Sequence, residues 1–169
     1  IDRIVTKMAE AVTLQAEPLA QLAVEETGYG VVADKVQKNL FSSRQVYEFI
    51  KPMRTVGVVN RIEDRKIVEI AEPFGVVAAV VPSTNPTSTA IYKVLIALKA
   101  RCPIVISPHP AAARCITRAV EIMAEAAQQA GAPAGSIGWM KTVTLEGTQE
   151  LMRHRDVAVI LATGGMGLV

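Results

Sequence analysis

The chain has 169 residues, of which half are hydrophobic, 20% charged and only 4% aromatic; that suits one ordinary domain, with or without a small attachment, over an aliphatic core. A formal charge of +2 is too small to argue for nucleic acid or an anionic membrane surface. No apolar run approaches the ~18 residues of a membrane span, and Asp2, Arg3, Lys7 and Glu10 interrupt the stretch a signal peptide would need.

Taken in order, Asp2 to Gln15 has helical spacing, with Ile4, Met8 and Ala11 on one side. Pro18 suits the first turn of a second helix, which runs to about Thr27 and stops at Gly28. Val32 to Ile50 is a third helical pattern, ended by Pro52. From Thr55 to Ile70 the period becomes that of strands, with a polar turn near Glu63-Asp64-Arg65, which predicts a β-hairpin. An isolated hairpin is marginal, so this one is expected to find a partner surface, such as another subunit.

Gly75 to Val81 is a short run rich in β-branched residues, the pattern of a strand buried on both faces of a parallel sheet. Pro82-Ser83-Thr84-Asn85-Pro86 breaks it, and Thr87 or Ser88 is placed to cap the following helix. Ile91, Val94, Leu95 and Leu98 share one face of that helix. Ile104 to Ile106 is a second strand, closed by Ser107-Pro108-His109-Pro110. A helix over about Ala111 to Ala130 follows, with an unbroken apolar stripe from Ala112 to Ala126, stopped by Gly131 and Pro133. Ile137 to Met140 reads as a short strand, Thr144 to Met152 as a helix and Val157 to Ala162 as another buried strand, ending in Thr163-Gly164-Gly165-Met166-Gly167. The pattern is that of an α/β fold: a doubly wound, Rossmann-like parallel sheet preceded by N-terminal helices and a β-hairpin. It divides the chain into a helical segment (1–54), a hairpin (55–72) and an incomplete dinucleotide-binding domain (73–169).

Ligands of such sheets bind at the carboxyl ends of strands, where the polar turns lie. The glycine turn lets backbone amides approach a phosphate, or serves plain geometry; it lacks the usual dinucleotide spacing. Asn85 is either an oxyanion donor or a turn asparagine bonded to its own backbone. His109, between two prolines, is either a ribose contact or a rigid surface turn, and His154 reads as a solvated helix end. Cys102 and Cys115 lack the electropositive, partly exposed setting of a nucleophile. Two cysteines and two scattered histidines make no metal site. The cysteines read instead as free thiols in a reducing compartment, so the expected location is the cytoplasm. Ile1 in place of Met leads to the expectation of further residues upstream.

EPFGVVAAVVPSTNPTSTAIYK, IVISPHP and VILATGGMGLV together resemble the aldehyde dehydrogenase superfamily. The TNPTST and SPHP wording is similar to its CoA-acylating branch, and EETGYG with the 55–70 hairpin resembles the family's N-terminal helices and oligomerisation ribbon. The resemblance covers the whole chain. It implies that Asn85 is the oxyanion-hole asparagine and that Pro82, Ser83 and Thr84 line the nicotinamide side. Ser107, Pro108 and His109 would meet the adenosine ribose, Thr163, Gly164 and Gly165 the phosphates, and Leu168 the adenine. The family lysine of the ribose turn is absent from SPHP, leaving NAD or NADP open, and Gly165 stands where many relatives carry serine.

The implied reaction takes a small aldehyde, coenzyme A and NAD(P)+ to acyl-CoA through a cysteine thioester, in a homo-oligomer (dimer or tetramer). The family's nucleophilic cysteine lies downstream of the TGG turn, so the 169 residues alone are expected to be inactive and marginally stable. Two other readings stand beside this one. They are a glutamyl phosphate reductase-like enzyme, against which PSTNPTST argues, and a truncated, non-catalytic nucleotide-binding module.

Overall fold

The computed structural model describes residues 1–165. Its first layer is helical. In α1 (Asp2–Leu14), Val5, Met8, Ala9 and Val12 are buried, the three- and four-residue spacing of one helical face. The turn at Gln15 redirects the chain into α2 (Ala16–Thr27), which stops at Gly28 in the left-handed conformation, φ 68°. The expected third helix has an interruption: α3 (Val32–Leu40) passes through a π-turn at Phe41–Gln45 into α4 (Val46–Ile50). The hairpin pairs β1 (Gly57–Ile62) with β2 (Ile67–Ala71), bulged between Val58 and Asn60. It packs on itself rather than on the sheet, and Val59, Ile67, Val68 and Ile70 are exposed.

Seven further elements alternate as the sequence predicts: β3 (Val76–Val81), α5 (Pro86–Lys99), β4 (Ile104–Pro108), α6 (Ala113–Gln129), β5 (Ile137–Trp139), α7 (Leu145–Arg153) and, as the closing strand, β6 (Val157–Ala162). The strands form one parallel sheet in the order β5-β4-β3-β6. The chain steps outward from β3 to β5 and then returns to the other side of β3. That reversal is the topological switch of a doubly wound fold.

β3 lies between two neighbours, which explains its continuous VVAAVV run. Val77, Ala79 and Val81 face the core with Ile104 and Ile106 under α5 and α6, and α1 to α4 cover those helices in turn. The opposite face carries α7, where Ser107, pointing away from Ile106, shares a 2.7 Å hydrogen bond with Thr148. β6, expected to be another buried strand, instead alternates in burial, leaving Ala158, Ile160 and Ala162 exposed. Gly75 enters β3 at φ 120° with the Ala158 methyl 3.2 Å from where its own Cβ would stand, so only glycine fits there without strain.

Two helix starts also differ from expectation. The cap of α5 is Asn85, not Thr87 or Ser88, because Pro86 occupies the first helical position, where its missing N–H costs nothing. The 111–130 helix opens with a 3₁₀ turn, Pro110–Ala112, so its α-helical part begins at Ala113.

Candidate active-site edge

Three turns meet at the carboxyl edge of the sheet: 82–85 after β3, 107–109 after β4 and 163–165 after β6. Leu168 lies outside the described residues. The first two turns are tied by a hydrogen bond from the His109 amide to the Val81 carbonyl, 2.9 Å. The first and third are tied by Lys93, whose Nζ donates to the Val80 carbonyl at 2.7 Å and the Leu161 carbonyl at 2.6 Å. Thr163 Oγ1 reaches the same Val80 carbonyl at 3.5 Å. Lys93 is 1% exposed, and burial lowers its ammonium from the ordinary value of 10.5 to about 8.

Asn85 has φ −136° and ψ 64° and caps α5 without a side-chain hydrogen bond to the helix. A capping asparagine normally spends its Oδ1 on a first-turn amide, for about 1 kcal/mol. Here Oδ1 instead accepts from Lys38 Nζ at 2.9 Å. Neighbours on α3 grip the same turn. Lys35 Nζ donates to the Thr84 carbonyl, and Asn39 accepts from Thr87 Oγ1 at 2.7 Å while donating to the Ala16 carbonyl at 2.9 Å. Burial, and then the nearby Lys38 charge, lowers Lys35. Lys35, Lys38, Asn39 and Lys93 escaped the sequence reading. Their signal was the i, i+3, i+4 spacing of Lys35, Lys38 and Asn39, which puts all three on one helical face.

The other candidates divide. Pro82 and Ser83 are half-buried and Thr84 is exposed. Ser107 is buried with its hydroxyl committed to Thr148, and Pro108 is buried, so only His109 of that turn is open to solvent. His109 Nδ1 accepts from the Ala111 amide at 3.1 Å, which sets the ring and leaves Nε2 outward. Gly164 and Gly165 are exposed, and among the described residues nothing lies within 4 Å of where a Gly165 Cβ would stand. That bare backbone suits a phosphate approaching its amides.

Neither cysteine is placed for nucleophilic work. Cys102 is 3% exposed. Cys115 is fully buried, and burial together with the Glu26 carboxylate drives its thiol far above the usual range, against thiolate formation. Glu26 accepts the Arg114 and Cys115 amides at 2.8 and 2.7 Å, capping α6 from α2. Among the described residues no group of three His, Cys, Asp or Glu could hold a metal, and no helix is long and apolar enough to cross a membrane. A concavity of about 480 Å³ sits at the opposite, amino-terminal edge, against Leu98, Cys102, Pro103 and Ser136.

The sequence profile of the aldehyde dehydrogenase family matches residues 2–168. Over all 169 residues the chain is 45% identical to the bifunctional aldehyde-alcohol dehydrogenase AdhE of Escherichia coli, and it spans 19% of that protein's length. The crystal structure of an acetylating aldehyde dehydrogenase from Geobacillus thermoglucosidasius superposes with a TM-score of 0.97 at 55% identity, over 99% of this chain and 37% of that one. A Rhodopseudomonas palustris propionaldehyde dehydrogenase with bound CoA and an acylated cysteine gives a TM-score of 0.84 at 29% identity, over 99% of this chain and 38% of its own. With its fold, its carboxyl-edge turns and a family match along nearly its whole length in agreement, the chain belongs to the aldehyde dehydrogenase family.

Proposed function

We propose that this chain is the cofactor-binding and oxyanion-donating part of a CoA-acylating aldehyde dehydrogenase acting on a short aldehyde. The observation that carries the reading is Asn85: a capping asparagine at the switch point of the sheet whose side chain is withheld from its own helix. Its Oδ1 is taken by Lys38, so its Nδ2 is the group left to donate to an oxygen gaining charge. The acylating and CoA-bound relatives support the choice of branch.

In this reaction a cysteine thiolate would add to the aldehyde carbon, bound NAD(P)+ would supply the hydride acceptor whose reduction leaves a thioester, and the CoA thiol would take the acyl group and release the cysteine. This chain's residues bind and orient. Asn85 Nδ2 holds the oxyanion formed as the carbon–sulfur bond closes. The backbone of Pro82, Ser83 and Thr84 walls the nicotinamide side, His109 meets the adenosine ribose from a turn that the buried Ser107 and Pro108 hold in place, and Thr163, Gly164 and Gly165 meet the phosphates. The nucleophile is assigned outside these residues, because both cysteines here are buried.

On the same reading, 1–54 is a helical layer that braces the site, 55–72 is an oligomerisation hairpin with an exposed apolar face, and 73–169 is the dinucleotide-binding part. The assembly is a cytoplasmic dimer or tetramer. The test is Asn85→Ala in the whole enzyme. Turnover is expected to fall about 100- to 1,000-fold, the size of one oxyanion donor, with NAD affinity and thermal midpoint unchanged. A variant with wild-type turnover removes Asn85 from the chemistry.

A further inference from the structure

We propose that Lys38 is a positioning residue for Asn85, fixing which end of the carboxamide faces the substrate; this rests on the reading of Asn85 as oxyanion donor. A carboxamide turned by half a rotation about its last torsion exchanges an acceptor for two donors at nearly the same positions. For an oxyanion donor one of those orientations is useful and the other is repulsive. Most capping asparagines have the choice made for them by the helix amides, but Asn85 makes no such bond.

Lys38 makes the choice instead. Its Nζ stands 2.9 Å from Oδ1. An ammonium has three donors and no acceptor, so Nδ2 has no interaction to gain on that side. The lysine is exposed at its tip, yet its stem is carried by a well-anchored stretch of helix. Lys35 and Asn39, which flank it on α3, are 4% and 1% exposed and bond to Thr84 and Thr87 on either side of Asn85. The grip therefore tracks the turn it orients. A cation on the carbonyl end also polarises the amide, which strengthens its N–H bonds as donors and puts positive charge near the developing oxyanion.

The experiment is a cycle in the whole enzyme with Lys38→Met, Lys38→Arg, Asn85→Ala and the Lys38→Met/Asn85→Ala double variant. It reads kcat, KM for the aldehyde, NAD affinity and thermal midpoint. Lys38→Met is expected to lower kcat about tenfold, with NAD affinity and midpoint unmoved, and Lys38→Arg to recover most of the loss. In the Asn85→Ala background the same change is expected to cost less than about twofold, because the group it positions is gone. A wild-type kcat for Lys38→Met, or an equal penalty in both backgrounds, overturns the positioning role while leaving Asn85 in place. A wild-type kcat for Asn85→Ala overturns both readings.

Discussion

β3 and β6 end side by side at the same edge, but β3 ends in a turn held from several directions and β6 in one that, over its described residues 163–165, has few side-chain partners. Past Val81, the Thr84 carbonyl, the Asn85 side chain and the Thr87 hydroxyl are each gripped by a residue of α3, and the His109 amide bonds Val81 itself. Beside it, Lys93 holds the Leu161 carbonyl and Thr163 makes one long contact, after which Gly164 and Gly165 are exposed. The difference matches the work assigned to each turn. A donor aimed at developing charge is effective when it is already in place before the reaction. A turn that binds phosphate through backbone amides needs open approach more than side-chain support.

Lys93 bridges the ends of β3 and β6 through two carbonyls, so its loss should do the most damage to the arrangement. Lys93→Met keeps most of the volume but leaves the Val80 and Leu161 carbonyls without their donor, at about 1–3 kcal/mol each. A clear drop in thermal midpoint is expected, together with weaker NAD binding. A change in midpoint alone would show that Lys93 holds the fold but not the site. The effect carries a pH signature. With the folded value lowered to about 8 against 10.5 for an ordinary lysine, the unfolded chain holds this proton to higher pH than the folded one. Wild-type stability measured against the Met variant should therefore rise with pH across that interval. A flat or falling difference would contradict the burial account.

A smaller effect sharpens the contrast from the open side. No described residue lies within 4 Å of a Cβ at Gly165, so Gly165→Ser adds a hydroxyl to this turn without a clash among them. NAD affinity should tighten about three- to tenfold, the net worth of one ordinary hydrogen bond, with kcat little changed. Weaker binding would mean that the phosphates do not pass this turn.

The sequence made the sheet legible because its strands are short, apolar and punctuated. β3 reads as central from VVAAVV alone, and Gly28, Gly131 and the prolines mark the breaks. The three turns followed from topology, since the carboxyl ends of parallel strands share one edge. The α3 grip and the Lys93 clasp did not. A lysine in one dimension reads as a solvated charge, but its four-carbon stem lets the amine cross a core and end on carbonyls 13 and 68 residues away in the chain. Asn85 was ambiguous for a related reason: whether a capping side chain serves its helix or faces outward depends on a partner 47 residues earlier. Pro86 at the first helical position was the local clue to the true cap.

The most direct test of the function is a product assay on the whole enzyme with NAD and a short aldehyde, run with and without CoA, with products identified by mass spectrometry. Formation of one acyl-CoA per NADH, with turnover that depends on CoA, is the expected result. NADH formed at the same rate without CoA, with free acid as the product, would contradict it.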